Sequence, residues 1–261
     1  MIIVNVARLR KRRPNRRWKR FGPDLSPQRH PSDGCGDLRA TWRERAQDNL
    51  SAISLAVVFR RTDEDLTWKS NFDGTRNLVA AAKAHAPNAR FIMAGTSNVY
   101  GLEGSRPGRE DDLVNAKQAY PASKFAAEKE LRASGLTWSV LCFAFVYGDA
   151  DGHIESMPKL LAQGRINFHH ATCMSMIHHR DIAGAVKLPL SGAFDGRIVN
   201  VADDASTSMF ELFELVGSTM EPSAEALRNP WHLCGDNSLA RRLGLYPQLR
   251  TVFHAAQENA L

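Results

Sequence analysis

Three mostly apolar runs of strand length, separated by helical patterns, constrain the fold of this 261-residue chain more than any other feature. The runs are Ile53–Phe59, Arg90–Ala94 and Thr137–Val146, and they are continuous rather than alternating with polar residues. Such strands are typical of a parallel sheet that helices cover on both faces. Helical patterns at Trp68–His85 and Tyr120–Ser134 lie between them. The sequence therefore predicts an α/β fold with a doubly wound, Rossmann-like parallel sheet.

The alternation continues to the end of the chain. A further strand is predicted at Arg197–Val201, and Thr207 is predicted to cap the helix that follows it. The other predicted helices are Met157–Gln163, Asp181–Leu188, Ser208–Val216, Ser238–Leu243 and Arg250–Glu258. We therefore assign one domain to residues 50–261.

Residues 1–49 do not share this pattern. Met1–Ala7 is apolar and β-branched, as in a first strand, but Arg8–Arg20 then carries nine Lys or Arg and no acid. Residues 1–61 hold 15 Lys and Arg against five Asp and Glu, whereas residues 62–261 hold 19 against 23. The basic run is compatible with a nucleic-acid or localisation patch, with a targeting peptide, or with a start that has no function. We expect the N-terminal part to be irregular or incomplete.

The composition excludes several classes of protein. A hydrophobic share of 43% and a charged share of 24% are those of a soluble globular protein. No stretch approaches the roughly 20 apolar residues of a membrane span. The four cysteines are scattered and form no C-x-x-C pair. They are typical of reduced thiols in a cytoplasmic protein, and neither a disulfide framework nor a metal site is expected.

Tyr120 and Lys124 form a Y-x-x-x-K pair at the start of a predicted helix. Residues four apart lie on one helix face and can reach the same ligand. A free tyrosine titrates near pH ~10 and is a poor base at neutral pH, but a nearby cation favours the phenolate. The pair is therefore suited to proton transfer, although such pairs are also common on solvated helices.

Four stretches, in order, resemble the extended short-chain dehydrogenase/reductase family, the NAD(P)-dependent epimerases and dehydratases. Asn71–Leu78 (NFDGTRNL) is similar to the family's N-x-x-G-T-x-N-L, and Gly95–Gly101 (GTSNVYG) is similar to its S-[ST]-x-x-V-Y-G. Tyr120–Lys124 resembles the catalytic helix, and Phe145–Gly148 (FVYG) resembles a second V-Y-G strand end. Weaker similarities follow at Ile177–Ala185, Ile198–Val201 and Asp236–Gly244.

The resemblance implies hydride transfer with a nicotinamide cofactor beside an acid/base tyrosine. Thr96 would hydrogen-bond the hydroxyl or carbonyl of the substrate, and Tyr120 would transfer the proton. Lys124 would hold the nicotinamide ribose and lower the pKa of Tyr120, while Asn71 and Phe143 would lie near the cofactor. Ordinary structural roles stay open as well, with Thr96 capping a loop and Asn71 capping its helix.

The resemblance also implies a small-molecule substrate, such as a sugar or sugar nucleotide. A small C-terminal substrate lobe would come mainly from residues 152–192 and 220–261. It allows a homodimer formed through a pair of helices that includes the catalytic helix. Neither a membrane nor a nucleic acid is an expected partner, because the basicity is confined to the first quarter of the chain.

The family's glycine-rich cofactor loop, G-x-x-G-x-x-G, is missing. Asn5 and the basic run follow MIIV where the glycines should stand, and Gly34-Cys35-Gly36 has no strand before it. The residue that would select NAD or NADP is not identifiable, and Cys142 and Phe143 replace a common Arg-Pro. The expected activity is thus that of an NAD- or NADP-dependent oxidoreductase, epimerase or dehydratase with weakened cofactor binding. The alternatives are a catalytically impaired relative that binds or regulates, and a nucleic-acid-binding protein that uses Arg8–Arg20.

Overall fold

The computed structural model describes residues 51–55, 63–101 and 104–261, together with a strand at residues 2–4. The predictions for Arg8–Arg20 and for Gly34–Gly36 lie outside the described residues. So does the second half of the strand predicted at Ile53–Phe59.

A five-stranded parallel sheet forms the centre of the fold. Its strands, in spatial order, are β1 (Ile2–Val4), β2 (Ser51–Ser54), β3 (Arg90–Thr96), β4 (Thr137–Phe143) and β8 (Arg197–Val201). Every neighbouring pair in this order is parallel, with Ile53 opposite Ile92 and Thr96 opposite Phe143. The parallel sheet predicted from the apolar runs is confirmed.

Two short sheets lie beside the main one. β5 (Phe145–Tyr147) pairs in parallel with β7 (Met176–His178), and β6 (Cys173–Met174) pairs antiparallel with β9 (Thr207–Ser208). The strand predicted at Thr137–Val146 is therefore two strands. The break falls at Ala144, whose N–H still bonds to the main sheet through the carbonyl of Val201 at 3.0 Å.

Eight α-helices connect and follow these strands within the described part of the chain. They are α1 (Glu64–Trp68), α2 (Gly74–His85), α3 (Ala119–Arg132), α4 (Met157–Ala162), α5 (His179–Leu190), α6 (Met209–Leu215), α7 (Ser238–Arg242) and α8 (Val252–Gln257). A π-helical turn, Lys69–Asp73, joins α1 to α2. None of these helices has the length and apolar character needed to cross a membrane.

Helix caps explain two differences from the predicted boundaries. The helix predicted to begin at Trp68 begins earlier, because the Asp63 carboxylate accepts the N–H of Leu66 at 2.9 Å and caps α1. Ser208, not Thr207, caps α6, and it forms a reciprocal capping box with Glu211. Thr207 lies one position before the cap, as the first residue of β9.

Helices cover both faces of the main sheet, and the central strands β3 and β4 are accordingly mostly apolar. On one face α2 and α3 pack against Phe91, Met93 and Val140. On the other face α5 packs against Ile92 and Leu141. A third apolar cluster, away from the sheet, includes Tyr147, Met157, Met176, Leu212 and Val252.

Asn200, in β8, ties the loop after β3 to the sheet. Its side-chain oxygen accepts the hydroxyl of Tyr100 at 2.6 Å, and its amide donates to the carbonyls of Gly108 and Asp236 at 3.1 Å each. Its backbone N–H donates to the carboxylate of Glu110 at 2.8 Å. These bonds fix the loop that leads from the carboxyl end of β3 towards α3.

Candidate active site

Thr96 and Tyr120 meet at the carboxyl edge of the main sheet. Thr96 is the last residue of β3 and is buried, and Tyr120 lies in the first turn of α3. The side chain of Thr96 hydrogen-bonds the phenol of Tyr120. Thr96 also accepts the N–H of Asn98 at 3.2 Å, so it caps the 3-10 turn Ser97–Val99 as well. Ligands of open parallel sheets bind outside the carboxyl ends of the strands.

Lys124 lies one helical turn beyond Tyr120 on α3. Its side chain is almost completely buried, with 2% of the residue exposed. Burial removes water from the ammonium and lowers the pKa of Lys124 to about 8. The ammonium of Lys124, which loses its proton near pH 8, thus lies one helical turn from Tyr120, the acid/base candidate.

The pKa of Tyr120 differs from the sequence-based expectation. Burial raises the pKa of the phenol above its ordinary value, and the hydrogen bond from Thr96 opposes this only in part. The lowering that we expected from Lys124 does not outweigh the effect of burial on the pKa of Tyr120, and the contribution of Lys124 stays a prediction. The physical reason is that burial disfavours the charged forms of both groups, so that the cation is itself weakened.

Asn71 is held in the π-helical turn between α1 and α2 and is fully buried. Its amide donates to the hydroxyl of Ser123 at 3.1 Å, and that hydroxyl donates to the carbonyl of Tyr120 at 2.9 Å. The interpretation of Asn71 as a helix N-cap is wrong, because the helical segment already begins at Glu64, with Asp63 as its cap. Turns of this π type are frequent at functional sites.

Ser123 is a residue that the sequence reasoning missed. It lies three positions after Tyr120 and directly before Lys124, so helical geometry places it on the same side of α3. That spacing was the available signal. Its hydroxyl links the π-helical turn to the backbone of Tyr120, and therefore joins two stretches of chain that are 52 residues apart.

Cys142 and Phe143 lie at the end of β4 and face opposite sides of the sheet. Cys142 is buried on the α3 side, where burial raises the pKa of its thiol, the charge of Glu128 adds to this, and Lys124 and the backbone of Thr96 oppose it. The Phe143 side chain packs instead into the cluster under α5. Near the site, Phe143 offers its carbonyl, which accepts the hydroxyl of Ser97 at 3.4 Å.

Asp149, His178 and His179 are the one group of metal-ligating side chains found together among the described residues, with ligand atoms within 4.8 Å of one another. Hydrogen bonds already occupy this group. Arg180 pairs with the Asp149 carboxylate, and the two ring nitrogens of His178 contact the backbone of Arg180 at 3.1 Å and of Ala260 at 2.7 Å. The geometry therefore does not suit a cation.

A search for sequence families matches residues 49–201 to the NAD dependent epimerase/dehydratase family. None of the curated proteins matches the sequence significantly. The chain is similar in structure to WbmG of Bordetella bronchiseptica in complex with NAD, with a TM-score of 0.64 and 23% identity over 84% of this chain and 76% of that one.

Two other solved structures illustrate the range of the similarity. A variant UDP-glucuronic acid 4-epimerase from Bacillus cereus, in complex with a fluorinated UDP-sugar and NAD, has a TM-score of 0.65 and 18% identity, covering 82% of this chain and 75% of that one. RMD from Pseudomonas aeruginosa, complexed with NADPH, has a TM-score of 0.64 and 20% identity, covering 79% and 78%. At these identities the similarity establishes the fold.

Proposed function

This chain belongs to the NAD dependent epimerase/dehydratase family, and we propose that it acts on a hydroxyl or carbonyl substrate with Tyr120 as the acid/base and with a nicotinamide cofactor, NAD or NADP. The observation that carries the proposal is the hydrogen bond between Thr96 and Tyr120 at the carboxyl edge of the sheet. The proposal keeps Thr96, Tyr120 and Lys124 as the catalytic set, and Asn71 and Phe143 as residues beside the cofactor.

The described residues fit the nicotinamide half of such a cofactor. Lys124 provides a buried ammonium one turn from Tyr120, which would donate hydrogen bonds to the ribose hydroxyls. Asn71 and Ser123 hold the backbone of Tyr120 in place. The pyrophosphate half would rest on chain outside the described residues, where the glycine motif is missing from the sequence. We therefore expect binding weaker than micromolar.

When bound, the nicotinamide supplies hydride transfer. Thr96 hydrogen-bonds the oxygen of the substrate and turns it towards the phenol of Tyr120. Because the pKa of Tyr120 is raised, the phenol carries its proton at neutral pH and is poised to donate it to a carbonyl oxygen. Accepting a proton from a hydroxyl is the harder direction, since it creates a buried phenolate. This asymmetry favours reduction in the resting protein.

The substrate class is proposed from the structural neighbours, whose complexes contain UDP-glucuronic acid, UDP-glucose and a fluorinated UDP-sugar. A sugar or sugar nucleotide would bind between the carboxyl edge of the sheet and a lobe drawn mainly from residues 152–192 and 220–261. A homodimer and a cytoplasmic location belong to the same proposal.

Calorimetric titration with each of NAD, NADH, NADP and NADPH, followed by turnover of UDP-sugars, tests the proposal. Tyr120→Phe should lower kcat by about 10²-fold or more, the usual contribution of a positioned acid/base group. Tyr246→Phe is the matched control, because Tyr246 is 72% exposed. Turnover that survives Tyr120→Phe would overturn the catalytic role, and micromolar nucleotide affinity would overturn the expected weakness of binding.

The missing glycine motif favours a second candidate, a relative that keeps the fold for binding or regulation without catalysis. The same experiments separate the two. Substrate binding without nucleotide binding and without turnover would support the second candidate. Turnover that depends on Tyr120 would exclude it.

A further inference from the structure

Three buried side-chain atoms in the described part of the chain make no hydrogen bond of good geometry. They are the phenol oxygen of Tyr147 and the two carboxyl oxygens of Asp203. Tyr147 is fully buried, and Asp203 is 3% exposed. Buried polar groups are nearly always hydrogen-bonded, because a group that loses water without gaining a partner destabilises the fold. The two residues therefore require a partner that the described residues do not supply.

Tyr147 and Asp203 lie on either side of β7. Tyr147 is the last residue of β5, which pairs with β7, and its ring contacts the ring of His178 edge-on, with the centroids 5.1 Å apart. Asp203 follows β8, and its backbone N–H donates to the carbonyl of Met176, in β7, at 2.7 Å. Both residues are thus held beside the same short strand.

Asp181 supplies a third buried polar group in this region. It lies in the first turn of α5, directly after β7, and is 6% exposed. Its carboxylate accepts the N–H of Gln248 at 2.7 Å and that of Leu249 at 3.2 Å. Two carboxylate oxygens can accept about four hydrogen bonds, so Asp181 keeps the capacity to accept another.

Electrostatic effects connect the three groups. Burial raises the pKa of the Tyr147 phenol, and the charges of Asp203 and Asp181 add to the rise. Burial likewise raises the pKa of Asp203 to about 8, and the charge of Asp181 again adds to the rise. The three side chains are therefore close enough to interact, and at neutral pH Asp203 carries a proton that it can donate.

This set of groups suits a small neutral ligand that both accepts and donates hydrogen bonds. Tyr147 and protonated Asp203 each offer an O–H, whereas Asp181 accepts. An anion would meet the Asp181 carboxylate, and a cation would meet two O–H donors. We propose that one internal water molecule binds here, accepting hydrogen bonds from Tyr147 and Asp203 and donating one to Asp181. Buried waters typically make about three such bonds.

The position of the water gives it a structural role. Tyr147 belongs to the apolar cluster away from the sheet, whereas Asp203 follows β8 of the main sheet and Asp181 begins the helix that covers one of its faces. The water would therefore join this cluster to the sheet. The inference does not depend on the proposed function.

A crystal structure of the full chain, at a resolution that shows ordered water, tests the site directly. We expect a water peak within about 3.2 Å of the Tyr147 phenol oxygen and of one carboxyl oxygen from each of Asp203 and Asp181. Three outcomes would overturn the proposal. They are the absence of a peak, a direct hydrogen bond between Tyr147 and Asp203, and a metal ion coordinated by these oxygens at about 2.4 Å.

Urea unfolding of Tyr147→Phe supplies an independent measurement, because this change removes only the hydroxyl. Loss of a hydrogen bond to the water should lower the urea midpoint by roughly 0.5 M. If the phenol has no partner, the same change removes an unsatisfied buried group, and an unchanged or higher midpoint would contradict the proposal. Tyr246→Phe is the matched control and should leave the midpoint unchanged, because Tyr246 is 72% exposed.

Variants at Asp203 show whether the two residues share one water. In an Asp203→Leu background the water loses a partner, so Tyr147→Phe should have little further effect on the midpoint. In an Asp203→Asn background, which keeps the volume of the side chain, the amide can donate in place of the acid. Tyr147→Phe should then lower the midpoint as it does in the wild type. Shifts of equal size in the Asp203→Leu and wild-type backgrounds, or no shift in the Asp203→Asn background, would count against a shared water.

Discussion

Replacing Asp203 by Asn should make the protein more stable at neutral pH. Asp203 follows β8, is only 3% exposed, and neither oxygen of its carboxyl makes a hydrogen bond of good geometry among the described residues. Burial raises the pKa of this carboxyl to about 8, with the charge of Asp181 adding to the rise. The backbone of Ala205 and the charge of Arg241 oppose the shift only in part. The folded protein therefore holds Asp203 protonated at pH 7.

The sign of the pH dependence follows from this shift. Between the ordinary pKa of an aspartate, near 3.8, and about 8, the folded state binds a proton that the unfolded state has released. The free energy of unfolding therefore falls as the pH rises through this window. One pKa unit corresponds to about 1.4 kcal/mol, so the contribution at pH 7 reaches at most about 4 kcal/mol. Relaxation and entry of water around Asp203 would make the measured value smaller. The Asn side chain of the variant has no proton to lose.

Urea unfolding followed by tryptophan fluorescence at pH 5, 6, 7 and 8 measures this contribution. We expect the difference between variant and wild type to grow by roughly 1 kcal/mol per pH unit, in favour of Asp203→Asn. Asp204→Asn is the matched control, because the Asp204 carboxylate pairs with Arg241 and Arg250 and its loss should destabilise the protein instead. A difference that does not change from pH 5 to pH 8 would refute the argument that Asp203 is buried in its protonated form.

Three further predictions concern other buried contacts. Gly148→Ala should lower the melting temperature by several degrees, because φ is +127° and a Cβ would lie 2.0 Å from the ring of His178. The control is Gly152→Ala, where φ is +74° and the space around the residue is open, and it should lower the free energy of unfolding by only about 1 kcal/mol. Asn200→Ala removes three side-chain hydrogen bonds and should reduce the urea-derived free energy of unfolding by about 2–4 kcal/mol. The wild type should gain at most about 3 kcal/mol of stability between pH 8 and 10.5, because in this range only the unfolded state keeps the proton of Lys124. Lys124→Met should abolish this gain.

Local patterns were sufficient to predict most of the secondary structure. The apolar run at Arg90–Ala94 is buried because helices cover both faces of the sheet, and the prediction of Arg197–Val201 agrees with the observed strand. Errors arose where a distant segment decides the outcome. Thr137–Val146 breaks at Ala144 because β5 leaves the main sheet to pair with β7, which no local pattern encodes.

The candidate site shows the same division. The spacing of Tyr120 and Lys124 follows from helical geometry, and the position of Thr96 follows from the end of its strand. The link from Asn71 through Ser123 to the backbone of Tyr120 depends on how α1 and α2 pack against α3. It was therefore not accessible from the spacing alone.

The sequence by itself determined the alternation of strands and helices, the parallel sheet and the identity of the residues that could transfer a proton. These properties depend on periodicity and on the distance between neighbours along a helix or a strand. The tertiary structure alone decided the protonation of those residues. Burial raises the pKa of Tyr120 and Asp203 and lowers that of Lys124, because the loss of water around an ionised group depends on segments far apart in the chain.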